Sequence, residues 1–266
     1  SSDLIYMFYL NYNILFLIFI LMVTKEENTE IPVEDMETNW NEQVESFDEL
    51  GLKKDLLRGI YAYGFEKPSN IQMRAILPII KGRDVIAQAQ SGSGKTGTFV
   101  IGTLEVIDLS KLEVQALILA PTRELAEQIN AEARKVIYEI GLHSVAIYGG
   151  VKIYDQMRKF YNGCEILIAT PGRLIDMLKQ NKVKLNNVKY FILDEADEML
   201  NMGFLPQIKE IINGFDLCSK DQRQNLMFSA TFEEDIVALS VNFMNEYYFV
   251  SNGSGSGNRD TLTGLQ

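Results

Sequence analysis

The sequence predicts an α/β domain: a parallel sheet that carries helices on both faces. Two observations support this prediction. Six short runs are apolar at every position, and amphipathic stretches such as 123–140 and 206–214 separate them. Such runs are typical of strands buried on both sides, and their alternation with helices favours a parallel order. Ligands bind such sheets at the carboxyl ends of the strands. The runs are 85–87, 116–119, 145–148, 166–169, 191–193 and 226–228.

A loop of small residues directly follows the first run. Residues 89–96, here called the phosphate loop, read Ala-Gln-Ser-Gly-Ser-Gly-Lys-Thr and precede a predicted helix. Small residues let main-chain N–H groups point at a polyphosphate, Lys95 adds positive charge, and the Thr96 hydroxyl can bind magnesium. The usual pattern opens with glycine, whereas this loop opens with Ala89. The loop predicts a nucleoside triphosphate site, and the alternative is a helix start that is rich in small residues by chance.

Acidic residues follow the fifth run. The predicted strand 189–193 ends in Asp194-Glu195-Ala196-Asp197, where a magnesium-bound nucleotide would need carboxylates. We expect Asp194 to hold magnesium, in part through water, and Glu195 to orient or deprotonate the water that attacks the γ-phosphate. A solvated helix start is the alternative. It would suit Asp197 and Glu198, but it fits poorly for Asp194, which comes directly after the strand.

Two segments can be interpreted either as helix caps or as functional. Ser69 with Gln72, and Thr231 with Glu234, both fit the capping-box pattern. A glutamine amide can also pair with the N6 and N7 edge of adenine. Thr231 closes a Ser-Ala-Thr segment that follows the sixth run. The residues themselves leave both interpretations open.

Three further loops follow predicted strands and carry little that could read bases. Each offers main-chain N–H groups or an arginine to a phosphate chain, which favours a sequence-tolerant site for a nucleic-acid backbone. Thr170 with Pro171 is also an ordinary helix start. The candidates are Pro121, Thr122, Arg123, Gly149, Gly150, Thr170, Gly172 and Arg173.

Composition narrows the function classes. The net charge of −11 disfavours nucleic acid at first sight, but residues 1–46 hold nine acidic residues and one basic residue, so the rest carries −3. That balance is compatible with a local basic groove. Two cysteines, Cys164 and Cys218, and a single histidine, His143, argue against a disulfide framework, a zinc site and a histidine-based triad. They fit a reducing compartment, and we expect a cytoplasmic protein, with a nuclear location left open.

The two ends of the chain differ from the rest. Residues 4–23 are almost wholly apolar and long enough to span a bilayer. We interpret 1–23 as non-native, because its Ile, Leu, Phe, Tyr and Asn mix suits an AT-rich non-coding stretch, with a natural start near Met22. A membrane anchor, despite Asn11 and Asn13, and a signal peptide are the alternatives. Residues 24–46 predict an acidic flexible leader, and 251–266 a linker to a missing second domain.

Taken together, these segments resemble the first RecA-like domain of the DEAD-box RNA helicases. The name-giving Asp-Glu-Ala-Asp is intact at 194–197, and eight segments occur in the family's order over residues 47–250. Residues 57–69 and 84–92 are most similar to the translation initiation factor 4A group and its relatives in the exon-junction complex and ribosome assembly. A mild departure is Ser93, where the family often has threonine.

The resemblance implies an RNA-dependent ATPase that uses ATP and Mg²⁺. Phe47 would pack near the adenine and Gln72 would read its edge. Lys67 and the phosphate-loop residues 91–96 would complete the ATP site, with Lys95, Asp194 and Glu195 catalytic and Thr96 and Asp194 on the metal. The implied ATP-binding residues of that loop are Ser91, Gly92, Ser93, Gly94, Lys95 and Thr96, and the implied coupling residues are Asp197, Ser229 and Thr231.

The implied partners are single-stranded or duplex RNA, the second RecA-like domain and helicase-partner proteins such as initiation scaffolds. A membrane is not expected. RNA would touch Arg123, Gly150, Thr170 and Arg173 among the loop candidates. Without the second domain's arginines, the chain should bind ATP or ADP but hydrolyse slowly and not unwind RNA. The alternative is a non-catalytic module that competes for helicase partners or RNA.

Overall fold

A computed structural model describes residues 42–137 and 140–251. In this part of the chain, seven strands form one sheet in the order β3-β4-β2-β5-β6-β1-β7, and every neighbouring pair is parallel. The predicted parallel sheet is therefore confirmed. The strands are β1 Asp84–Gln88, β2 Ala116–Leu119, β3 Ser144–Ile147, β4 Ile166–Ala169, β5 Tyr190–Leu193, β6 Gln224–Ser229 and β7 Tyr247–Ser251.

Helices alternate with the strands, as the sequence predicts. The α-helices are α1 Lys54–Tyr63, α2 Asn70–Ile80, α3 Lys95–Val106, α4 Arg123–Ile137, α5 Ile153–Met157, α6 Pro171–Lys179, α7 Ala196–Asn201, α8 Leu205–Gly214 and α9 Glu234–Phe243. Short 3-10 helices lie at Phe47–Leu50, Arg158–Phe160 and Lys220–Gln222. No helix in the described ranges is long and apolar enough to cross a membrane.

Two buried apolar layers cover the two faces of the sheet. Alternate residues of each strand point into opposite layers, so Val85 and Ala87 join one layer and Ile86 the other. Helices α1–α4 bury their apolar faces in the first layer, and α6–α9 do so in the second. The packing is close: a Cβ placed at Gly102 of α3 would lie 2.6 Å from a methyl of Ile79 in α2.

The predicted segments at the ends lie mainly outside the described residues. This holds for 1–23, for most of the acidic leader and for 252–266. The last residues of the acidic leader are described. Val44 is buried, and its N–H donates to the carbonyl of Met73 at 3.1 Å. The packed domain thus includes residues just before Phe47.

Candidate functional site

Two glycines shape the phosphate loop. Gly92 and Gly94 have φ angles of 80° and 98°, in the left-handed region that favours glycine. The hydroxyl of Ser93 donates to the carbonyl of Gln90 at 2.6 Å, which closes the turn. Gly94 is the N-cap of α3, so Lys95 and Thr96 open that helix, and N–H groups of the first turn are available to an anion.

Lys95 meets the acidic segment across the sheet. Its side chain is 5% exposed, and its Nζ lies 2.7 Å from Oε1 of Glu195. Asp194 is 1% exposed, and one of its carboxylate oxygens accepts the N–H of Glu195 at 3.0 Å. The structure therefore brings together the three residues predicted as catalytic, although Lys95 and Glu195 lie 100 positions apart in sequence.

Burial dominates the electrostatics of Asp194. Desolvation raises its pKa to about 7, and the charge of Glu195 adds to the rise, while the charge of Lys95 opposes it. Glu195 itself has φ 50° and ψ 53°, an unusual backbone conformation for a residue other than glycine, at the turn from β5 into α7. Such strain is typical of functional sites, because the surrounding structure has to hold it in place.

Gln72 lies beneath the phosphate loop with both amide atoms engaged. Its Oε1 accepts the N–H of Ser69 at 2.8 Å, and its Nε2 donates to the carbonyl of Gly94 at 3.2 Å. The capping box predicted for Ser69 and Gln72 is confirmed. A Cβ placed at Gly97 of α3 would lie 2.5 Å from Nε2 of Gln72, so the glutamine requires a glycine there. Its contact with adenine stays a prediction.

An aromatic cluster continues from this point. Phe47 is fully buried, and its ring centroid lies 6.3 Å from that of Tyr61 and 6.1 Å from that of Phe65. Phe65 is half-buried, and its ring approaches the Cβ position of Gly97 to 3.3 Å. Phe65 therefore contacts the phosphate-loop helix directly. Sequence reasoning did not single it out, although it lies in the segment that precedes Gln72. Lys67, which follows Phe65 by two positions, is exposed.

Thr231 contacts Asp197 and does not cap a helix. Its N–H donates to Oδ2 of Asp197 at 3.2 Å, and its hydroxyl lies 3.5 Å from the same oxygen. The capping box predicted for Thr231 and Glu234 is wrong, because α9 begins at Glu234 with Glu233 as its N-cap. Ser229 ends β6, and its carbonyl accepts the N–H of Ala89 at 2.9 Å. The predicted coupling residues thus touch both the acidic segment and the phosphate loop.

Two atoms of the coupling residues lack partners. The hydroxyl of Ser229 and Oδ1 of Asp197 are buried without a hydrogen bond to any described residue. A buried polar atom without a partner costs free energy, so both atoms are available for a ligand or a rearranged side chain.

Main-chain hydrogen bonds link the predicted RNA loops to Asp194. The N–H of Asp194 donates to Leu119, that of Ala120 to Ala169 and that of Thr170 to Ile147, each at 3.0–3.1 Å. The links run across β5, β2, β4 and β3, which are neighbours in the sheet. The candidate residues for nucleotide and for RNA therefore lie together at the carboxyl ends of the strands. Pro121 is buried there, and the hydroxyl of Thr122 accepts the N–H of Leu125 at 3.2 Å.

Arg173 is held by protein groups. Its guanidinium donates to Oε1 of Gln156 at 2.7 Å and to the carbonyl of Val151 at 2.9 Å, and its side chain is only 11% exposed. Gln156 is buried and donates to the carbonyl of Tyr148 at 3.0 Å. These bonds fix the loop of Gly149 and Gly150, which is exposed. Sequence reasoning missed Gln156, which belongs to no recognised motif.

Arg123 lies on an aromatic ring. Its guanidinium carbon is 4.8 Å from the ring centroid of Tyr148, and Nη2 is 3.4 Å from Oε1 of Glu127. The hydroxyl of Tyr148 donates to Glu127, which raises the pKa of the phenol and lowers that of the carboxyl. Thr170 is the N-cap of α6, and Gly172 lies exposed in the first turn of that helix.

A polar cleft lies at the opposite side of the sheet, where the strands begin. It has a volume of about 650 Å³ and is lined mainly by residues at or before the amino ends of β1, β5, β6 and β7, among them Arg83, Asp84, Lys189 and Arg223. Asp84 accepts three hydrogen bonds from Asn225 and Asn245 there. The cleft is thus separate from the phosphate loop, and its carboxylate serves the packing of the strands.

Comparisons with known proteins agree with this geometry. The sequence profile of the family described as DEAD/DEAH box helicase matches residues 69–239. The ATP-dependent RNA helicase eIF4A of Neurospora crassa is 48% identical over 229 residues, which cover 85% of this chain and 56% of the relative. The eIF4A of Pyricularia oryzae is 48% identical over 221 residues, covering 82% of this chain and 54% of the relative.

A solved structure is also similar. A DEAD box protein from the hyperthermophile Methanococcus jannaschii matches with a TM-score of 0.74 and 40% identity, over 79% of this chain and 57% of that one. The chain spans about half the length of the curated relatives it matches.

Proposed function

Because the chain belongs to the DEAD/DEAH box helicase family, we propose that it is the ATP-binding and RNA-backbone-binding half of an ATP-dependent RNA helicase of the translation-initiation type. The observation that carries this proposal is the 2.7 Å pair of Lys95 and Glu195 beside the buried Asp194. The relatives named ATP-dependent RNA helicase eIF4A support the subfamily.

Magnesium fits the residues that the site offers. Mg²⁺ is bound through one or two protein oxygens together with substrate phosphates and water. The buried carboxyl of Asp194 and the half-buried hydroxyl of Thr96 provide such oxygens. A divalent cation would offset the desolvation that raises the pKa of Asp194. When bound, Mg²⁺ would neutralise charge on the phosphate oxygens.

Lys95 and Glu195 exchange partners when ATP binds. Lys95 turns from the carboxylate to the phosphates, which releases Glu195. The freed carboxylate orients the attacking water and accepts its proton. Asp194, whose carboxylate accepts the N–H of Glu195, would hold the metal. Because Lys95 is nearly buried, its attraction for the phosphates is weakly screened.

RNA binds along the loops that follow β2, β3 and β4. Arg123 supplies positive charge, and the exposed Gly149, Gly150 and Gly172 let a backbone approach closely. The contact of Thr231 with Asp197 passes the nucleotide state to the rest of the helicase.

The whole protein would also use a second RecA-like domain, RNA as substrate and protein partners such as initiation scaffolds. That domain would supply arginines to the γ-phosphate. We therefore propose slow hydrolysis by this chain alone, since such arginines raise the rate by about a thousandfold or more. We place the protein in the cytoplasm or nucleus.

The test is nucleotide binding followed by steady-state hydrolysis. A fluorescent ATP analogue with Mg²⁺ should bind the chain, and Lys95→Ala should weaken binding at least tenfold, whereas the exposed control Lys182→Ala should not. Turnover should stay near that of Glu195→Gln, with or without single-stranded RNA. Failure to bind the analogue would refute the proposal. Strong RNA-stimulated turnover that Glu195→Gln abolishes would refute the need for a second domain.

A further inference from the structure

Two cations share the ring of Tyr148. Arg123 lies 4.8 Å from its centroid, and Lys159 places its Nζ 5.5 Å from the same centroid. The two cations come from different elements: Arg123 opens α4, and Lys159 lies in the 3-10 helix Arg158–Phe160. Tyr148 follows β3 and immediately precedes Gly149 and Gly150. One buried ring thus sets the positions of two positive charges beside the exposed glycine loop.

These cations differ in how far protein groups already engage them. Arg123 forms an ion pair with Glu127. The nearby Arg173 donates hydrogen bonds from its guanidinium to Gln156 and Val151. Lys159 is exposed, and its ammonium makes no ion pair within 4.0 Å to any carboxylate in residues 42–137 and 140–251. Within those residues no carboxylate pairs with its three N–H groups, which can therefore donate to a ligand.

The local field favours an anion at this place. Glu127 interacts with both cations: the hydrogen bond from Tyr148 and the charges of Arg123 and Lys159 lower the pKa of its carboxyl. The two cations outnumber this single carboxylate, and the tyrosine hydroxyl occupies part of its hydrogen-bonding capacity. A phosphate at this place would meet two positive charges even though the whole chain is acidic.

We propose that Lys159 and Arg123, aligned by Tyr148, form a two-cation contact for the phosphate backbone of single-stranded RNA. The contact extends the RNA path from the Gly149-Gly150 loop onto the 3-10 helix at 158–160. It rests on the proposed RNA-binding function and adds a residue that none of the loop motifs contains. The chemistry is non-specific, since ammonium and guanidinium groups read phosphate and not bases.

The test measures RNA affinity as a function of salt. Binding of a labelled oligouridylate is followed by fluorescence anisotropy for the chain as it stands and for Lys159→Gln, Lys159→Arg and Lys182→Gln. Lys182 is an exposed lysine outside the loops that follow β2, β3 and β4, and Lys182→Gln makes the same change in net charge as Lys159→Gln. We expect Lys159→Gln to weaken binding about threefold to tenfold and to reduce the salt slope by about 0.7, the value for one phosphate contact on a single strand. Lys159→Arg should restore both.

The outcomes separate this proposal from the function on which it rests. No binding by the unaltered chain would refute RNA binding itself. Binding that Arg123→Gln weakens, but that Lys159→Gln changes no more than Lys182→Gln does, would overturn the two-cation contact alone. A loss of affinity in Lys159→Gln without a change in the salt slope would also overturn it, because it would indicate altered packing and not a lost phosphate contact.

Discussion

Nζ of Lys95 and Oε1 of Glu195 lie 2.7 Å apart, so the lysine of the phosphate loop is already paired with the acid expected to act on water. The pair lies largely out of solvent, where breaking it costs more than on an open surface. On the proposed function, ATP would compete with Glu195 for Lys95. Nucleotide affinity and the release of the Glu195 carboxylate would then be two consequences of one exchange.

Glu195→Gln should raise the affinity of the chain for nucleotide. The amide holds Lys95 less strongly and removes a negative charge from the neighbourhood of the phosphates. We expect a gain of about threefold to tenfold in affinity for a fluorescent ADP or ATP analogue, measured by titration. Glu198→Gln, an exposed change in helix α7, which follows Glu195, is the control and should have little effect. Weaker binding by Glu195→Gln would contradict the competition.

Asp194 should make the stability of the domain fall as the pH rises. Burial raises its pKa from 3.8 to about 7, so the folded chain binds more protons than the unfolded chain between these values. The free energy of unfolding therefore decreases with pH across that window. Asp194→Asn removes the burial of a charged group, and should stabilise the protein by about 1–4 kcal/mol above pH 7.

The gain from Asp194→Asn should shrink towards the acid end of that window, where the native carboxyl is protonated. Urea titrations at a series of pH values measure it, and Glu66→Gln, an exposed carboxyl-to-amide change, is the control. A gain that is the same at both ends of the window would show that the carboxyl does not titrate as described.

Gly97→Ala should loosen the support of the nucleotide site. The added methyl would lie 2.5 Å from Nε2 of Gln72 and 3.3 Å from the ring of Phe65. We expect a loss of about 1–3 kcal/mol in the free energy of unfolding, together with weaker ATP binding. In the matched control, Gly172→Ala, the methyl meets nothing within 4 Å and the helix gains propensity. Equal effects of the two changes on unfolding and ATP binding would contradict this account.

The sheet could be predicted from sequence because six of its seven strands contain a short run that is apolar at every position. The runs 116–119 and 166–169 match β2 and β4 residue for residue. The strand that was missed, Tyr247–Ser251, pairs only with β1 at the edge of the sheet, and its two tyrosines are half-buried. An edge strand is covered less evenly, so its sequence carries a weaker signal of burial.

The two capping patterns show where sequence reasoning stops. Ser69 and Gln72 do form the predicted box, in which the N–H of Ser69 donates to Oε1 of Gln72. Thr231 carries the same pattern, but its N–H bonds to Asp197, which lies 34 positions earlier in the chain. A local pattern holds no information about an acceptor that tertiary packing brings near. The same limit explains why Gln156 was missed: its role depends on Arg173 and Tyr148, which only the fold places beside it.

Gln156→Ala should weaken RNA binding, although the buried side chain of Gln156 does not itself contact RNA. Gln156 is fully buried and joins Arg173 to the carbonyl of Tyr148, so it positions the Gly149-Gly150 loop. If Arg173 also acts by holding this loop, Arg173→Lys and Gln156→Ala should lower oligouridylate affinity by similar factors. The double variant should be no worse than either single variant, because both changes break one network.

Anisotropy titrations measure the affinities, and urea titrations check that each variant folds. A salt slope that Arg173→Lys leaves unchanged would agree with positioning. Full RNA affinity in Gln156→Ala, with loss only in Arg173→Lys, would instead assign Arg173 a direct contact with the phosphate chain.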